Sequence, residues 1–81
     1  MKKLPEWEHE KKHIERVFEF DEFNEAIDFV NAVAEIAEAA EHHPEIDIRY
    51  NKVRLQLSTQ REGGLTDRDF ELAEKLNNLA D

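Results

Sequence analysis

The chain has 81 residues, no cysteine, and 11 Lys plus Arg against 20 Asp plus Glu, a formal net charge of −9. Without cysteine there is no disulfide framework, thiolate metal site or thiol nucleophile, so any chemistry must come from His, carboxylate, amide or hydroxyl groups. The negative balance repels phosphate backbones and argues against direct nucleic-acid binding, and no apolar run approaches the roughly 20 residues needed to span a bilayer.

Met1-Lys2-Lys3 leads into Leu4-Pro5-Glu6-Trp7 rather than into the apolar core of a signal peptide, which predicts a cytoplasmic protein with no membrane partner. Two glycines, two prolines and no Gly/Ser tract predict short loops and one domain over residues 1–81.

The stretch His13-Ile14-Glu15-Arg16-Val17-Phe18-Glu19-Phe20 carries β-branched and aromatic residues in imperfect alternation and predicts a strand. Trp7-Glu8-His9 returns beside it through a tight hairpin at Glu10-Lys11-Lys12. From Asp21 to about His42 the period changes to that of a helix, with Asp21 as N-cap, Glu22 and Glu25 in the first turn and Pro44 ending the run.

On that helix Phe23, Ala26, Ile27, Val30, Ala34 and Ala37 form one apolar stripe, and Phe29, Val33, Ile36 and Ala40 form a second beside it. Two readings are open: a helix sunk in its own core, or, as preferred here, a second stripe packed against another subunit. The preferred reading predicts a homo-oligomer, a dimer before a tetramer.

Glu45 to Tyr50 and Val53 to Gln60 predict a β-hairpin turning at Asn51-Lys52. Ile46, Ile48, Val53, Leu55 and Leu57 line one face, and Asp47, Arg49, Arg54, Gln56 and Ser58 the other. Gly63-Gly64 reads as a tight turn rather than a phosphate-binding loop, because the rest of such a motif is missing. Thr66 then opens the last helix, Asp69 completing a capping-box-like pair and Leu65 with Phe70 a hydrophobic staple. The predicted fold is α+β, an antiparallel sheet of about four strands with two helices packed on one face.

Glu38 and His42 lie one helical turn apart, so their side chains can meet, and a carboxylate on one imidazole nitrogen leaves the other free to move a proton. His43 projects differently, and Pro44 turns the chain at once, so both rings are expected to flank a cleft. Spacing alone also allows a plain helix C-cap, because histidine opposes the helix dipole there. A metal site of Glu38, His42 and His43 is disfavoured, since adjacent histidines diverge and no second ligand pair is evident. Tyr50 is read as a core aromatic, with stacking on a flat ligand as its alternative.

An acidic residue, three spacers, His-His-Pro, an aromatic and a later Asp recur here as Glu38, His42, His43, Pro44, Tyr50 and Asp69. The arrangement resembles the signature of the pterin-4a-carbinolamine dehydratases, also known as dimerisation cofactors of a homeodomain transcription factor. The resemblance runs from Leu4-Pro5-Glu6-Trp7 to the final helix, and breaks at Gln60, where the family carries a third histidine.

It implies a hydro-lyase acting on a 4a-hydroxytetrahydropterin such as 4a-hydroxytetrahydrobiopterin, with no cofactor. His42 and His43 are the implied acid/base pair, Glu38 orients His42, and Pro44, Gln60 and Asp69 bind or position the pterin. Gln60 can hydrogen-bond but cannot shuttle a proton, which implies slowed dehydration. Relatives of the fold also imply an alternative: a weakly active scaffold for a protein partner, as a transcriptional coactivator or a Rubisco assembly factor.

Overall fold

The computed structural model describes residues 6–59 and 64–80. Its elements run β1 (Glu8–His9), β2 (Ile14–Glu19), α1 (Phe23–Ala40), β3 (Glu45–Arg49), β4 (Lys52–Leu57) and α2 (Asp67–Ala80). The strands form one antiparallel sheet in the order β1-β2-β4-β3, with the helices on one face. This is the expected α+β architecture.

β1 returns on β2 through the expected short hairpin, closed by Glu10 N–H donating to His13 O at 2.8 Å. The imperfect alternation of β2 has a tertiary cause. Ile14 and Phe18 face the helices and are buried, whereas Val17 faces outward. Arg16, on the inward side, lays its guanidinium 4.2 Å from the Phe18 ring and donates to Asn77 Oδ1 of α2. Trp7 Nε1–H donates to the same oxygen at 2.8 Å, so β2, α2 and the residue that leads into β1 are tied at one point.

α1 is shorter than expected at both ends. Glu22, not Asp21, is its N-cap, and no side chain caps it. At the other end Glu41 takes a left-handed conformation, φ 54°, and the N–H groups of Glu41 and His42 reach back to Glu38 O and Ala37 O. These two bonds form a Schellman closure built on a non-glycine residue. The helix therefore stops before the histidines, because Pro44 disfavours helical backbone at His43.

The second apolar stripe is divided, its Phe29 and Val33 serving the subunit's own core and its Ile36 and Ala40 lying partly open. Val33 and Phe29 are buried in the subunit's own core, where each contributes about 1.5–3 kcal/mol. Ile36 and Ala40 are partly buried against the same cluster, while Phe23 and Ala34 are exposed. The buried line Ala26, Phe29, Val33, Ala37 runs between the two expected stripes, because α1 meets the sheet on one side and α2 on the other.

The β3–β4 hairpin turns at Tyr50-Asn51, one residue before the expected place, since Arg49 pairs with Lys52. Asn51 supplies the reason: its Nδ2 donates to Phe20 O at 2.7 Å and its carbonyl accepts from Phe20 N–H at 2.9 Å. That clamp leaves Tyr50 in the left-handed region at φ 56°. Tyr50 is exposed at the hairpin tip, outside the core and not among the residues that line the cleft described below.

β4 supplies Val53, Leu55 and Leu57 to the core, and α2 supplies Phe70, Leu72, Ala73 and Leu76. Thr59 and Gly64 pair through both backbone groups, at 2.9 and 3.1 Å. Gly64 has φ 143°, a conformation L side chains rarely adopt, so glycine permits this closure.

Candidate active site

The C-terminus of α1, the end of β4 and the N-terminus of α2 converge on a cleft of about 710 Å³. Glu38, Glu41, His42 and His43 line it from α1 and the turn after it. Gln56, Ser58 and Thr59 line it from β4 and the residues that follow, with Glu45 from β3 and Arg68 from α2. The volume falls within the range of ordinary small-molecule pockets.

The two histidines occupy different environments. His42 is nearly enclosed, and its Nε2–H donates to Asp69 Oδ1 at 2.5 Å. Asp69 has 0% exposure and sits in the first turn of α2. Its other oxygen accepts from Thr66 N–H at 3.0 Å and from the Thr59 hydroxyl at 2.7 Å. The first of these is half of the expected capping box, the carboxylate reaching back to the free N–H at the helix start.

His43 faces solvent. Its Nε2–H donates to Glu38 Oε1 at 2.8 Å, across a pair whose side chains are 64% and 77% exposed.

The expected partnership of Glu38 with His42 is thus replaced. A helix continuing through His42 would place that ring beside Glu38; the Schellman turn ends α1 at Ala40, which swings His42 inward and brings His43 to Glu38. Asp69 holds His42 instead, enclosed among protein donors. Pro44 stands half-buried between the lining residues His43 and Glu45. Gln60 lies outside the described residues.

Two contributors carry no signal in the sequence. Arg68 donates from one guanidinium nitrogen to Glu41 O at 3.0 Å and lies 3.5 Å from Ala40 O, placing a cation on the carbonyl end of α1. Thr59 reaches Asp69 from the end of β4. Both contacts join segments far apart in the chain, and neither residue belongs to a local pattern. Among the described residues, no group of three or more His, Cys, Asp or Glu is placed to hold a metal ion.

A small antiparallel sheet is thus backed by two helices, with a histidine pair at the cleft and a buried carboxylate behind one ring. The chain belongs to the pterin 4 alpha carbinolamine dehydratase family, which it matches over residues 1–79. It is 58% identical over 76 residues to a protein of Acidobacterium capsulatum named "Putative pterin-4-alpha-carbinolamine dehydratase", covering 94% of this chain and 83% of that one. A protein of the same name from Thermomicrobium roseum is 50% identical over 80 residues, covering 99% and 86%.

Among solved structures, a transcriptional coactivator/pterin dehydratase from Brucella melitensis superposes with a TM-score of 0.90 at 36% identity. The match covers 96% of this chain and 85% of that chain. A pterin dehydratase-like protein identified as a RuBisCO assembly factor in the alpha-carboxysome shares the fold, with a TM-score of 0.75 at 20% identity. It covers 91% of this chain and 86% of its own.

Proposed function

We propose that this protein dehydrates a 4a-hydroxytetrahydropterin, 4a-hydroxytetrahydrobiopterin being the type substrate. The reading rests on one observation: two adjacent histidines line one cleft, and each has one ring nitrogen engaged by its own carboxylate. In each neutral ring the engaged Nε2 carries the proton, which leaves Nδ1 as the basic nitrogen.

The reaction breaks the C4a–O bond. A proton delivered to the departing hydroxyl makes it water, and a proton leaves the pterin ring nitrogen as the new double bond forms. No electrons enter or leave, so a pair of acid/base groups meets the requirement without a cofactor. His42 and His43 are that pair in this proposal, Asp69 and Glu38 are their positioning residues, and Gln60, in place of a third histidine, lowers the rate. Assay with freshly generated carbinolamine is the test. Folded protein that does not accelerate the spontaneous reaction overturns the proposal.

Gln60 and the Brucella relative described as a coactivator favour a second reading, in which a catalytically weak member serves as a scaffold for another protein. A stoichiometric partner recovered from the source cell, and retained when His42→Ala and His43→Ala are combined, supports it. Loss of the partner in that double variant counts against it.

The proposal includes self-association, now through a different surface. β3 is an edge strand, and its Ile46 and Ile48 are 39% and 36% exposed beside unpaired backbone groups. Sedimentation of the wild type should show a dimer, and Ile48→Lys should shift it to monomer; a monomeric wild type removes this part.

A further inference from the structure

We propose that Thr59 is a positioning residue for His42, acting through Asp69. The inference deepens the dehydratase reading and rests on it for its kinetic consequence, but not for its structural one. A carboxylate turns easily about its last torsion, whose preferences are broad. Thr66 N–H at 3.0 Å gives Asp69 one anchor, from the residue that precedes its own helix. The Thr59 hydroxyl, 2.7 Å away on the same oxygen, gives a second from the end of β4. Two anchors from different elements fix the carboxylate plane, so the opposite oxygen meets His42 Nε2 in one orientation.

The directions of the protons follow from the acceptors. A carboxylate offers no proton, so Thr59 must spend its single O–H on Asp69. Thr59 Oγ1 is also 3.0 Å from Thr66 Oγ1, and since Thr59 has no second proton, Thr66 donates in that pair. The chain therefore runs from Thr66 O–H to Thr59 O–H to Asp69, where the His42 N–H meets it from the other side, and each donor polarises the next. Its chemical result is to hold neutral His42 as the Nε2–H tautomer with Nδ1 available to substrate. His43, paired only with exposed Glu38, has no comparable support among the described residues.

Thr59→Val, which removes the hydroxyl at nearly constant shape, and Thr59→Ser, which keeps it, form the test. Thr59→Val should lower kcat about tenfold, the worth of one hydrogen bond to a charged group, and Thr59→Ser should stay near the wild type. KM should change less than about twofold in both, as for a residue that acts through another. Nitrogen-15 spectra of the imidazole should report His42 as Nε2–H in the wild type and Thr59→Ser, and as a tautomer mixture in Thr59→Val.

An unchanged kcat in an active Thr59→Val enzyme overturns the proposal, as does Thr59→Ser falling as far as Thr59→Val. So does a wild-type His42 found as Nδ1–H, a result that needs no variant. If the wild type performs no dehydration, the pterin reading fails while the imidazole spectra still decide the role of Thr59. If Thr59→Val does not fold, Thr66→Val should show the same spectral change in smaller degree, and an unaltered His42 spectrum there overturns it.

Discussion

The inner and outer halves of the cleft contain the same kind of pair, an imidazole and a carboxylate, in opposite settings. His42 and Asp69 meet in the interior, where the carboxylate also caps α2 and accepts from Thr59. His43 and Glu38 meet in water. Burial makes an unmade polar contact costly, whereas exposed pairs are screened and contribute little. Proximity alone does not rank the two carboxylates; the number of bonds each must satisfy, and the solvent available to replace them, does.

The largest effect is expected at the inner pair. Asp69→Asn sets an amide N–H against donors and permits His42 to change tautomer, so kcat should fall at least about 100-fold, within the range for loss of general acid–base catalysis. Stability should fall by about 1–3 kcal/mol, because a buried donor loses its acceptor. Steady-state kinetics with thermal unfolding checks both; a rate within tenfold of the wild type would show that Asp69 serves α2 alone.

A middle-sized effect is expected when a proton carrier is added. Gln60→His supplies the third histidine that the resemblance implies at this position, and should raise kcat about tenfold with KM little changed. Tighter pterin binding without a faster reaction would place position 60 away from the reacting carbon.

The smallest effect belongs to the outer pair. Glu38→Gln should lower kcat less than about threefold and leave the unfolding midpoint unchanged, as for exposed ion pairs. Added salt should produce a similar small loss in the wild type and none in the variant. A large loss in Glu38→Gln at ordinary salt would make His43, not His42, the more dependent of the two rings.

Much of the fold was legible because its signals are local. Alternation in Ile46, Ile48, Val53, Leu55 and Leu57 is a property of neighbouring residues, as is the Thr66/Asp69 pair that starts α2. The candidate residues His42, His43 and Asp69 could be named from spacing and family resemblance. Their partnerships could not. Whether Glu38 reaches His42 or His43 depends on where α1 ends, and that depends on Glu41 adopting φ 54° in a Schellman turn.

The sequence by itself determined the element types, the sign of the surface charge and the residues from which chemistry can be made, since periodicity, charge and functional groups are carried residue by residue. Only the tertiary structure decided that Val33 belongs to the core, that Asp69 stands behind His42 and that Thr59 stands behind Asp69. Those relations join α1, β4 and α2, and a contact between segments distant in the chain is set by how the helices settle on the sheet, a quantity that no local pattern encodes.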